Sequence, residues 1–89
     1  MSYALRLAAE AKRGLAVLPV IVQEEALDLL EESSVRAEMT SGSSPLIQEE
    51  VMDLVVHLES KRYYVFMVVR IDHRSRMVRV DSVGHAVRT

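Results

Sequence analysis

Three histidines, at positions 57, 73 and 85, and a run of arginines in the last third of the chain are the side chains with chemistry to offer. Histidine is the usual general acid or base near neutral pH. Arginine is the side chain that grips phosphate and carboxylate. His85 is a candidate acid or base, and equally a polar residue at a strand end. His57 is a candidate partner for it across a sheet, and equally a surface histidine. Arg79 and Arg88 are candidate phosphate holders; their plainer roles are solubility or contact with an acidic partner. A metal site can be composed on paper from His57, His73, His85 and Asp72. No pair of them has helical i, i+4 spacing or a ligand signature, so no metal is expected. Three widely spread glycines leave no phosphate-cradling loop, and no Ser-His-Asp spacing can be read. No cofactor is expected. The absence of cysteine removes disulfide scaffolds, thiolate zinc sites and cysteine nucleophiles together.

A chain of 89 residues makes one domain, 1–89, which buries about 60–65% of the surface it exposes unfolded. That excludes a large cleft enzyme with a separate lid. Hydrophobic residues at 49% can drive a core, which excludes disorder throughout. No apolar run reaches the roughly 18 residues of a membrane span. Glu10 and Lys12 interrupt the apolar N-terminal stretch, so a signal peptide is not expected either. The expectation is a cytoplasmic protein of a bacterial kind. The net charge of −2 hides an asymmetry: residues 1–60 hold 4 basic and 11 acidic side chains, residues 61–89 hold 7 and 2. The overall basic charge of a nucleic-acid binder is missing. The basic third either presents a local surface or is neutralised by the acidic part in the fold.

The elements that position these groups can be read from periodicity. Ser2 to Leu7 alternates as a strand does. Ala8, Ala11, Leu15 and Leu18 then recur at helical spacing, with Gly14 weakening the interior. Pro19 opens a second helix to about Glu32, with Val22, Ala26, Leu29 and Leu30 buried and Glu24, Glu25, Asp28, Glu31 and Glu32 wet. The short Leu18-Pro19 join implies an antiparallel helix hairpin. Ser33 to Pro45 reads as one flexible loop, rich in serine, glycine and proline. Three strands follow: one from Val51 to about Leu58, a central one from Tyr63 to Ile71, and a last one from Met77 to Val83. The central strand is apolar on both parities, as a strand covered on two faces is. The expected fold is α+β, with the N-terminal strand and helix hairpin packed on a four-stranded antiparallel sheet. With Met52, Leu54, Val56 and Leu58 inward, the expected open face carries Val55, His57, Val65, Met67 and Val69. Such an apolar face marks a partner site.

The order of these segments resembles the RelE/ParE superfamily of small bacterial toxins from toxin–antitoxin pairs. Met1 to Glu32 resembles the family's strand, short helix, Leu-Pro join and Val-Gln-Glu helix. Tyr63 to Val80 resembles its Tyr-rich strand ending in Ile-Asp, a turn and a Val-rich strand. SVGHAV, at 82–87, resembles its Val-Gly-His-Arg ending. The resemblance covers everything but Ser33–Glu50. It implies a protein antitoxin as partner, with Val55, Val65, Met67 and Val69 as its contact. It also implies either ribosome-dependent mRNA cleavage, as in RelE-like members, or gyrase inhibition, as in ParE-like members. His85 would match the family histidine, His57 lies near a position where RelE-like members are basic, and Arg88 would stand in for an arginine two residues early.

The departures are specific. Acids occupy the segment before the second strand where RelE-like members are basic. Val65 follows Tyr64 where the family has arginine, Ala86 replaces the arginine after Val-Gly-His, and no tyrosine lies near Thr89. A ribonuclease needs a base, an acid and positive charge on the phosphate, and this set is incomplete. The first expectation is a toxin-like component acting on the ribosome and mRNA, or on gyrase. The second is a non-catalytic interaction module or homodimer on the same fold.

Overall fold

In a computed structural model, which describes residues 3–40, 42 and 46–89, the chain runs β1 (Ala4–Leu7), α1 (Ala9–Ala16), α2 (Val20–Thr40), β2 (Ile47–Leu58), β3 (Lys61–Asp72) and β4 (Met77–Arg88). The fold is α+β, with a four-stranded sheet in the order β1-β4-β3-β2. Short connections make β2, β3 and β4 an antiparallel meander. β1 joins parallel to β4, so the sheet is mixed and not the purely antiparallel one expected. Two helices and two strands separate β1 from β4, a crossover long enough for parallel pairing. Among the described residues, no helix is long and apolar enough to cross a membrane.

Gly14 is a packing requirement of α1, not a weakness in it. α1 buries Ala11 and Leu15 and lies against β4 so closely that a Cβ at position 14 would overlap the carbonyl oxygen of Val83. Only glycine allows that approach. α2 reaches Thr40, so the expected loop from Ser33 is helix over its first eight residues; 41 and 43–45 lie outside the described residues. The buried stripe Val22, Ala26, Leu30 continues through Ser33, Ser34 and Ala37 at the same spacing. These small side chains let the helix sit close to the N-terminal segment, where the Ser34 hydroxyl donates to the Tyr3 carbonyl at 2.9 Å. A buried donor is thereby satisfied.

The sheet faces follow from register. Leu58 pairs with Lys61 across the two-residue link Glu59-Ser60, which sets Met52 opposite Met67 and Leu54 opposite Val65. Even positions of β2 therefore share a face with odd positions of β3. Val65, Met67 and Val69 are 0% exposed in the core with Val78, Val80, Val22 and Leu30. Their expected place on the open face is corrected: Tyr64, Phe66 and Val68 point there, and Val55 does as expected.

The hairpin turns carry two residues in the left-handed region, Glu59 (φ 56°) and Arg76 (φ 54°). In the second turn the Asp72 carboxylate accepts the backbone N–H groups of Arg74 at 2.9 Å and Ser75 at 3.2 Å. β4 runs to Arg88, five residues past the expected end, and contains a bulge. Val69 pairs with Val80 but Val68 with Ser82, leaving Asp81 as the extra residue.

Candidate functional site

The helices cover one face of the sheet and leave the other open. Cross-strand register lays the open face out in rows. At one end Arg6, Arg79, Arg70 and Glu49 line up across β1, β4, β3 and β2. At the other end His57, Arg62 and Arg88 line up across β2, β3 and β4. Between them lies a band in which Val51 (73% exposed), Val55 (48%), Phe66 (46%) and Val68 (37%) face outward, broken by Asp53 opposite Phe66. The β4 residues beside the aromatics are small, Gly84 and Ala86. Arg62, Tyr64, Phe66, Ala86 and Arg88 therefore line a shallow depression of about 360 Å³.

The two arginine pairs differ in their counter-ions. Arg70 and Arg79 are register partners, and each has an acid: Arg70 reaches Glu49 at 2.8 Å, and Arg79 reaches Asp81 at 3.2 Å. The hydrogen bond that Arg70 donates to Glu49 holds its guanidinium above its ordinary pKa, and the charge of Glu49 adds to the effect. Arg62 and Arg88 are also register partners, but among the described residues neither has an acidic partner. Like charges set directly opposite each other are unfavourable. An uncompensated pair beside exposed aromatics is an arrangement suited to anionic groups on a ligand.

The acidic and basic parts of the chain meet in the ion pair Glu49–Arg70, but the acids of α2 take no part in it. Glu24, Glu25, Asp28, Glu31 and Glu32 are exposed on α2, while the ion pairs Arg70–Glu49 and Arg79–Asp81 both lie within the sheet. The asymmetry of sequence becomes an asymmetry of faces.

The expected catalytic set divides. His57 and Arg88 share the end row, with Arg62 between them, about 10 Å apart at two strand spacings. Arg79 faces the same side but lies nine residues along β4 from Arg88, roughly 30 Å away. His85 pairs with Val65 and so lies on the helix-bearing face, exposed where the helices end. The bulge at Asp81 is the cause. Alternation from Val78 and Val80 would put His85 with Arg79 and turn Arg88 inward; the extra residue exchanges them. His57 and His85 therefore cannot meet. Arg62 lies one residue before the expected start of the central strand at Tyr63; in the structure it belongs to β3 and completes the row.

His73 is engaged elsewhere. Its Nδ1 is 2.7 Å from the hydroxyl of buried Tyr3, and the rings meet edge to face with centroids 5.6 Å apart. Its Nε2 is 3.5 Å from Gln48 Oε1, and Gln48 donates to Glu50 at 2.8 Å. This cluster ties the N-terminal segment to β2 and the β3–β4 turn. Among the described residues, no three His, Cys, Asp or Glu side chains are grouped to hold a metal ion.

Compared with known proteins, the chain matches no family model, no curated protein and no solved structure.

Proposed function

We propose that the chain is a toxin-like component of a bacterial toxin–antitoxin pair, of RelE/ParE type, and that it acts by binding through the open sheet face. The observation that carries this reading is the uncompensated pair Arg62–Arg88 beside Tyr64 and Phe66. An antitoxin segment with acidic and apolar side chains complements it, the acids on the arginine rows and the apolar groups on Val51, Val55, Phe66 and Val68. The element order supports the family resemblance. Binding of gyrase, or of a translational target, needs no nuclease set.

Cleavage of mRNA is the weaker branch. His85 stands on the face away from Arg62, Arg79 and Arg88, so the histidine of the resemblance does not converge with the phosphate-holding groups; His57 alone shares their row, without a second acid–base group beside it. The same separation favours the second reading, an interaction module without catalysis. Induction of the chain alone in a bacterial host decides between them. A toxin arrests growth; an interaction module accumulates as folded protein without arrest.

A further inference from the structure

The sheet has two edges of unlike design. β1 is four residues long and carries Arg6. β2 is twelve residues long and has no proline, lysine or bulge; its only charged side chains are the acids Glu49, Glu50 and Asp53, which restrict the registers in which it can pair. The backbone N–H of His73 donates to the Leu46 carbonyl at 2.8 Å. By alternation the even residues of β2 bond inward to β3, and Ile47, Glu49, Val51, Asp53, Val55 and His57 offer their backbone groups outward. Three of these are exposed apolar residues: Ile47 at 58%, Val51 at 73% and Val55 at 48%.

We infer that this edge pairs with the same edge of a second copy, antiparallel about Met52. The acids on β2 select that register. Centred on Val51, Glu49 falls opposite Asp53 of the other copy; centred on Asp53, that residue meets itself. Centred on Met52, each acid meets an apolar residue: Glu49 with Val55, Glu50 with Leu54, Asp53 with Val51. Ile47 through His57 of each copy are then paired. The contact is two-fold and closed, so it stops at a dimer. Pairing of the open faces is the poorer alternative. Both end rows of that face are rich in arginine, so either overlay sets arginine on arginine. The edge contact leaves the open face free and stands whether or not that face binds an antitoxin.

Sedimentation of the full chain over a micromolar-to-millimolar range tests this. The wild type is expected at twice the monomer mass. Val51 is exposed, so Val51→Glu keeps the fold by circular dichroism, sets acid against Asp53 and raises the dimer Kd about tenfold or more. Val51→Lys keeps the dimer. Val55→Glu and Val55→Lys repeat the contrast against Glu49. A wild type that stays monomeric overturns the inference. So does a dimer indifferent to both Glu variants, or one lost equally to Glu and Lys.

Discussion

Arg62 and Arg88 face each other across β3 and β4 on the open side of the sheet, and neither is matched by an acid among the described residues. Like charges directly opposite destabilise a sheet by a few tenths of a kcal/mol or more. Arg62→Gln should therefore raise stability slightly in urea unfolding while weakening partner binding. A clear loss of stability would mean that Arg62 has a structural partner in the folded chain.

The face assignment makes opposite predictions for neighbouring residues. Met67 is fully buried and Phe66 is half-exposed. Met67→Ala should cost about 2–5 kcal/mol. Phe66→Ala should cost much less and impair binding instead. Equal losses of stability would contradict the register of β2 on β3.

Gly14 gives a prediction against helix propensity. Alanine is favoured over glycine in a helix interior by about 1 kcal/mol, so an isolated α1 gains from Gly14→Ala. In the folded chain the new Cβ meets the Val83 carbonyl, and displacement of helix from strand should cost about 1–3 kcal/mol net. Increased stability in chemical denaturation would show that α1 does not approach β4 so closely.

Glu59 holds a positive φ of 56° as the first residue of a two-residue hairpin link, where glycine is favoured. The left-handed conformation costs a non-glycine residue about 1–2 kcal/mol. Part of that is offset by glycine's greater freedom in the unfolded chain. Glu59→Gly should raise the thermal midpoint, and a lowered midpoint would mean the turn has another geometry.

The Asp72 carboxyl is held below its ordinary pKa, first by the Ser75 backbone N–H and also by that of Arg74. A lowered folded pKa adds stability that is complete above the unfolded value of about 3.9 and is lost as pH falls through the folded one. Asp72→Asn keeps an acceptor for both N–H groups. Its amide is neutral and a weaker acceptor, so it should be less stable than the wild type near neutrality, show a shallower loss of stability with acid and converge on the wild type in strong acid. An identical acid profile for the two proteins would remove the turn from the acid response.

Much of this architecture was legible in the sequence, for stated reasons. The two helices followed from Ala11 and Leu15, then Val22, Ala26 and Leu30, at helical spacing on either side of Leu18-Pro19. The inward set of β2 followed from strict alternation. The C-terminal third of α2 was missed because Ser33 and Ser34 are turn formers by type, although they continue the buried stripe by position. β3 was misfaced because it is apolar on both sides, so only pairing across Glu59-Ser60 decides its parity. In the site, His57 and Arg88 came together as candidates on one face, but Arg62 between them did not stand out. His85 was misplaced because no alternation rule reveals the bulge at Asp81.

The central claim is that the open face acts by binding through Arg62, Phe66 and Arg88, without chemistry at His85. Growth after induction in a bacterial host tests it most directly. The wild type is compared with Arg62→Glu/Arg88→Glu and with His85→Ala, each checked for folding by circular dichroism. The account predicts arrest by the wild type, equal arrest by His85→Ala and free growth with the folded double charge reversal. Free growth with the wild type, arrest that survives the charge reversal, or relief by His85→Ala alone would contradict it.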